Sequence, residues 1–170
     1  RYEFAMIIKG HQSMEHKTFL SWAAVIFWMA VIFVLSSQAA EQSDRLSISI
    51  AENVTKIAEK AVLKWDISIK KLNYIVRKNA HFFSYLILGV LMINALRESG
   101  VYGRKAVIMA FLACLLYAIS DETHQLFVPG RTGQIKDVII DSAGAAAGIG
   151  VYMICSKALN LKKQMTNDRG

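Results

Sequence analysis

Four stretches of this chain carry no lysine, arginine, aspartate or glutamate, and they limit its folds more than any other feature. They run from Thr18 to Ala40, Asn79 to Leu96, Ala106 to Ser120 and Ser142 to Ser156, with lengths of 23, 18, 15 and 15 residues. A helix needs about 20 apolar residues to cross the hydrocarbon of a bilayer. The first two blocks meet or approach that length, and the last two reach it only by including polar residues at one end. The pattern predicts an all-α, polytopic membrane protein with four transmembrane helices. The chain is 54% hydrophobic, and its 170 residues make one domain. That domain is expected over residues 18–157, between an N-terminal tail (1–17) and a basic C-terminal tail (158–170). Met14 opens MEHKTFLSW just ahead of the first block, which marks residues 1–13 as a candidate non-native extension. The first block exceeds the roughly 7–15-residue core of a signal peptide and no clean Ala-x-Ala-like site follows, so it is expected to be retained.

The connection between the first two helices is long and structured in pattern. Ser49-x-x-Glu52 reads as a capping box. After it Ile50, Val54, Ile57, Ala61 and Trp65 recur at helical spacing, with Lys56, Lys60 and Lys64 on another face. A basic amphipathic helix of this kind suits the membrane interface; packing on its own bundle is the alternative. Arg97–Lys105 (RESGVYGRK) reads as a tight hairpin. The fourth block is rich in small residues, with Gly144 and Gly148 four apart and Ser142, Ala146 and Gly150 at the same step. Small residues let helices approach closely in lipid, so this helix is expected near the centre of the bundle. Cys114 and Cys155 fall at different depths, which fits buried reduced thiols rather than a disulfide framework. The net charge of +7 comes from basic residues flanking apolar blocks. That placement favours anionic lipid head groups over nucleic acid as partner.

Threading four helices places the end of the first, the start of the second, the end of the third and the start of the fourth on one membrane face. Those ends carry Ser37 and Gln38; Lys78 and His81; Asp121, Glu122 and Gln125; and Asp137 and Asp141, with Arg131 in the last loop. The opposite face has ordinary basic helix ends. Counting about 20 residues from Lys105 and back from Lys157 puts Asp121, Glu122, Gln125 and Asp141 inside the span. An ionisable group at the centre of a membrane helix costs about 2.5–3.5 kcal/mol on insertion scales and is rarely kept unless paired or functional. Asp121 and Gln125 share a helical face, as do Asp137 and Asp141, and Lys78 and His81. Pro129-Gly130 turns the chain so that Arg131 can fold back over the carboxylates, and Asp137 is expected to hold it. The cluster reads either as a salt-bridged plug that fixes helix register or as a site for a polar or anionic head group.

The segments SSQ (36–38), RKNAHFFSY (77–85), SDETHQLFVPGRTG (120–133) and DVIIDSAGAAAG (137–148), in this order and spacing, resemble the VanZ-like family of small bacterial membrane proteins. The likeness covers about Trp22 to Ile154. It implies a four-helix protein of the cell envelope and a link to low-level resistance to teicoplanin-type glycopeptides. It places the family's polar signature on Lys78, His81, Asp121, Glu122, Gln125, Arg131 and Asp137. Asp141 departs from the pattern, which often has Asn there.

Two function classes remain open. One is a non-enzymatic envelope protein whose pocket binds a lipid-linked or cell-wall head group, with Lys78 and Arg131 suited to phosphate or carboxylate. The other is an intramembrane hydrolase or transferase using the same acids and His81 for proton transfer. The ETHQ order lacks two histidines at four-residue spacing, and neither a metal nor a cofactor is expected. Four helices without an inverted repeat argue against a transporter unless the chain oligomerises. Lysine and arginine are tied at ten on each face, so the positive-inside rule does not orient the chain. Basic residues flush with helix ends (Lys17, Arg97, Arg104, Lys105, Lys157) favour cytoplasmic termini and a pocket open to the outside of the bacterial cytoplasmic membrane.

Overall fold

The computed structural model describes residues 2–38, 48–49, 69–131 and 133–167. Four long helices account for nearly all of them: α1 (Tyr2–Ser36), α2 (Ile69–Glu98), α3 (Gly103–Gln125) and α4 (Ile135–Asn167). Each contains a segment long and apolar enough to cross a membrane: Met14–Ser36, Tyr74–Glu98, Gly103–Gln125 and Ile135–Leu159. No strand occurs among the described residues. The all-α, four-span architecture is thus the one the uncharged blocks predict. The amphipathic helix expected over residues 50–65 lies outside the described residues. Both flanks differ from simple tails, since α1 is already helical at Tyr2 and α4 continues to Asn167.

Helices α2 and α4 form the most intimate pair. Gly144 and Gly148 lie against the backbone carbonyls of Phe82 and Leu86, and Gly89 of α2 lies against the carbonyl of Ala145. A Cβ at any of the three would run into backbone, so the two helices can be this close only because these residues lack one. The second small-residue step behaves differently. Ala146 is exposed and Gly150 has nothing near it, because the buried stripe runs through 141, 144, 145, 148 and 149. Helix α3 packs through Ala106, Ala110, Cys114 and Ala118, every fourth residue. Cys114 is therefore the space-filling thiol the sequence suggests. Cys155 is not, since it lies exposed on the outer side of α4.

Helix α1 is the most peripheral. It is tied on by hydrogen bonds as well as by packing of Val25 and Ile32. Trp28 Nε1 donates to the Ser84 carbonyl at 2.9 Å, and Tyr117 Oη donates to the Met29 carbonyl at 2.6 Å. Large apolar side chains such as Phe19, Phe27, Leu116 and Ile154 point outward. Such an apolar exterior fits four segments that are each long and apolar enough to cross a membrane. At one end of the bundle Thr18 Oγ1 donates to the Glu98 carbonyl, Trp22 Nε1 to Ser99 Oγ, and Arg97 Nη1 to Ser156 Oγ. The termini of α1 and α3 and the starts of α2 and α4 converge at the other end.

Candidate functional site

Each of α2, α3 and α4 presents one inward face that is small or apolar through most of the bundle and turns polar toward the end of the bundle that the three share. On α2 that face runs Lys78, His81, Tyr85, Leu88, Met92, at alternating steps of three and four. On α3 the Ala106–Ala118 stripe continues into Asp121, Glu122 and Gln125. On α4 it runs from Asp137 and Asp141 into Gly144 and Ala145. The three polar ends meet. Asp121 (3%), Glu122 (5%), Gln125 (3%), Asp137 (4%) and Asp141 (0%) keep almost no exposed surface. Such burial is compatible with charge only where partners are supplied.

The partners differ from the expected pairing in one respect. Asp137 takes its cation from α2, forming a buried ion pair with the Lys78 ammonium. Its place in the first turn of α4 adds the favourable end of that helix's dipole. Arg131 instead donates from Nε to the Gln38 carbonyl at 3.1 Å and from Nη1 to Gln125 Oε1 at 3.3 Å. The geometric reason is the turn before it. Arg131 N–H donates to the Val128 carbonyl, with Gly130 at φ 74°. That left-handed conformation favours glycine and closes a turn around Pro129. The arginine is thereby set over the end of α3 rather than beside the start of α4. Gln38 meets it through its main-chain carbonyl.

Gln125 distributes the charge inward. Its Nε2 donates to Asp121 Oδ2 at 3.3 Å and to Glu122 Oε1 at 3.2 Å. Glu122 Oε2 accepts the Gln134 backbone N–H at 2.8 Å, so this carboxylate also satisfies a donor where the loop enters α4. His81 Nδ1 lies 3.3 Å from Asp141 Oδ1. Neither oxygen of Asp141 accepts a well-formed hydrogen bond among the described residues, and the same holds for Asp121 Oδ1. The Lys78 ammonium also stands 5.3 Å from the centre of the Tyr74 ring, a cation–π contact.

Two buried hydroxyls join the cluster that reading the sequence by charge passed over. Tyr85, one turn beyond His81, is completely buried. Its hydroxyl has no hydrogen-bond partner among the described residues and faces Asp121 and Asp141. Ser36, at the end of α1, is buried beside Asp121. The spacing of Lys78, His81 and Tyr85 was the available signal for the first. His124 lies off the cluster and packs its ring on Phe33 at 4.6 Å between centroids.

Next to the cluster, a groove of about 400 Å³ opens between the end of α3 and the start of α4. Its walls are Ile119, Leu126, Ile135 and Val138, with Glu122, Thr123 and Gln134 at its polar end. Gly133 crosses here with the Glu122 carbonyl 2.6 Å from where a Cβ would stand. A groove with apolar walls that ends at a buried carboxylate can take an amphiphile, with its chain along the wall and its head at the polar end.

No curated protein and no solved structure matches the chain. A family model described as VanZ/LLP1 matches residues 21–156. The match reaches into all four spans and takes in every residue of the polar cluster, and this multi-pass membrane protein belongs to the VanZ/LLP1 family.

Proposed function

We propose that this protein works in the bacterial cytoplasmic membrane, with both termini cytoplasmic and its polar cluster toward the outside. There it binds the anionic head group of a membrane lipid or lipid-linked cell-wall precursor. Through that binding it lowers susceptibility to teicoplanin-type glycopeptides. The observation that carries this reading is the concentration of buried charge at one end of the bundle, with Lys78 and Arg131 bordering it, beside an apolar groove that ends at Glu122. A head group offers phosphate or carboxylate oxygens to the cations, and Arg131 can present two parallel N–H donors to either.

The test is a glycopeptide susceptibility assay with Arg131→Ala and His81→Ala at matched expression. Both variants lose the resistance while their membrane abundance stays near wild type. Loss of protein in parallel with loss of resistance would instead make the cluster a salt-bridged plug. The contact of His81 Nδ1 with Asp141 Oδ1 at 3.3 Å favours a second reading. In it, an imidazole oriented by a carboxylate moves protons for hydrolysis or group transfer on a bound lipid. A modified lipid that accumulates with the wild-type chain and disappears with His81→Ala would select that reading over binding alone.

A further inference from the structure

We propose that His81, Glu122 and Asp141 form a site for one divalent transition-metal cation of the Zn²⁺ or Mn²⁺ kind. The three residues come from three different helices, and one ligand atom from each lies within 4.8 Å of the others. Nitrogen and oxygen donors on a tetrahedral cation, at about 2.0–2.2 Å from it, stand roughly 3.4 Å apart. His81 Nδ1 and Asp141 Oδ1 stand 3.3 Å apart. The remaining edges, at most 4.8 Å, are longer than this and close as the side chains draw in on the ion. One imidazole and two carboxylates are a donor set that borderline and hard divalent ions share.

Charge leads to the same conclusion independently. Lys78 is committed to Asp137. Three further carboxylates, Asp121, Glu122 and Asp141, are buried close together; among the described residues Arg131 reaches the first two through Gln125, and His81 stands beside Asp141. Buried charges in proteins are paired or coordinate a metal. Asp141 is the sharpest case, being fully buried with neither oxygen in a well-formed hydrogen bond among the described residues. A divalent cation on Asp141 and Glu122 neutralises both. Glu122 is already held for the task, with Oε1 accepting from Gln125 and Oε2 from the Gln134 N–H. Such outer contacts orient a metal ligand and typically affect affinity by about 10–100-fold when removed. Three protein ligands leave a coordination position open, and Glu122 is also part of the groove wall. The site stands whether or not a head group binds.

The experiment uses the full chain in detergent, stripped with a chelator. The background is His11→Ala/His16→Ala/Cys155→Ser, so that these three side chains contribute no ligand. Zn²⁺ or Mn²⁺ alone is added and unbound metal removed by gel filtration. One equivalent is retained by elemental analysis, and the thermal midpoint rises with saturation. His81→Ala and Asp141→Asn abolish retention, and Gln125→Ala weakens it about 10–100-fold. For the case in which the ligand variants misfold, the paramagnetic resonance of Mn²⁺ is recorded with the His81-containing background protein. Loss of the free-ion signal at one equivalent supports the site. An unchanged free-ion signal, or retention that survives both His81→Ala and Asp141→Asn, overturns it.

Discussion

Replacing Lys78 by methionine keeps most of the stem volume and removes the ammonium that Asp137 faces. The two side chains are only 11% and 6% exposed. Removing one partner of a buried pair costs about 3–5 kcal/mol, because the other charge is left uncompensated. An exposed pair is worth about 0.2–1 kcal/mol. The residual exposure of Lys78 places the expectation at the lower end, about 3 kcal/mol, or on the order of 100-fold in the folding equilibrium. About 0.5–1 kcal/mol of that is the contact with the Tyr74 ring. Asp137→Asn, which strands the lysine instead, costs a similar amount. The double variant Lys78→Met/Asp137→Asn contains no stranded charge and loses about 3 kcal/mol, as much as one single variant rather than the sum of about 6, which is a coupling energy of about 3 kcal/mol. Equilibrium unfolding in mixed micelles, followed by tryptophan fluorescence, measures all three. Single-variant losses below about 1 kcal/mol, or strict additivity in the double variant, would show that the pair is not buried and coupled as described.

The packing of α2 on α4 is open to a paired test by the same unfolding assay. Gly148→Leu, which drives a side chain into the Leu86 backbone, lowers stability by about 1–3 kcal/mol or more. Gly150→Ala, where nothing stands nearby, is neutral or gains up to about 1 kcal/mol of helix propensity; equal losses would refute the assignment of the packing face. For orientation, a cysteine replacing Thr132 in a Cys114→Ser/Cys155→Ser background reacts with an impermeant maleimide in intact cells. Labelling confined to a cysteine placed at the C-terminus would reverse the proposed topology.

How far the sequence carried depended on the physics behind each signal. Span length is a strong constraint, because backbone polar groups in lipid must be satisfied within the helix. A count from Lys105 was therefore enough to end α3 near Gln125, where it does end. Counts from Lys105 and back from Lys157 put Asp121, Glu122 and Asp141 inside the expected spans, and the structure has all three side chains buried within the bundle. Which of two small-residue stripes packs was not legible. Ser142-Ala146-Gly150 and Gly144-Gly148 differ only in the direction they face, and neighbouring helices decide that. Side-chain pairing was harder still. Arg131 and Asp137 are close in sequence, yet the turn at Pro129-Gly130 carries the arginine to Gln125, and Asp137 pairs across the bundle with Lys78. Tyr85 and Ser36 were missed because an aromatic and a serine within apolar runs look like ordinary packing until their hydroxyls are seen buried at the cluster.

The central claim is that the buried charged end of the bundle holds an anionic amphiphile, and mass spectrometry of the lipids retained by the detergent-purified protein tests it most directly. The wild-type chain is expected to retain an acidic phospholipid or a phosphate-linked polyprenyl species in about one copy, through delipidating washes that remove neutral lipids. Arg131→Ala and Lys78→Met are expected to release it, while Cys155→Ser, on the outer side of α4, is expected to retain it. The same lipid profile for wild type and Arg131→Ala, or retention of neutral lipids alone, would contradict the claim.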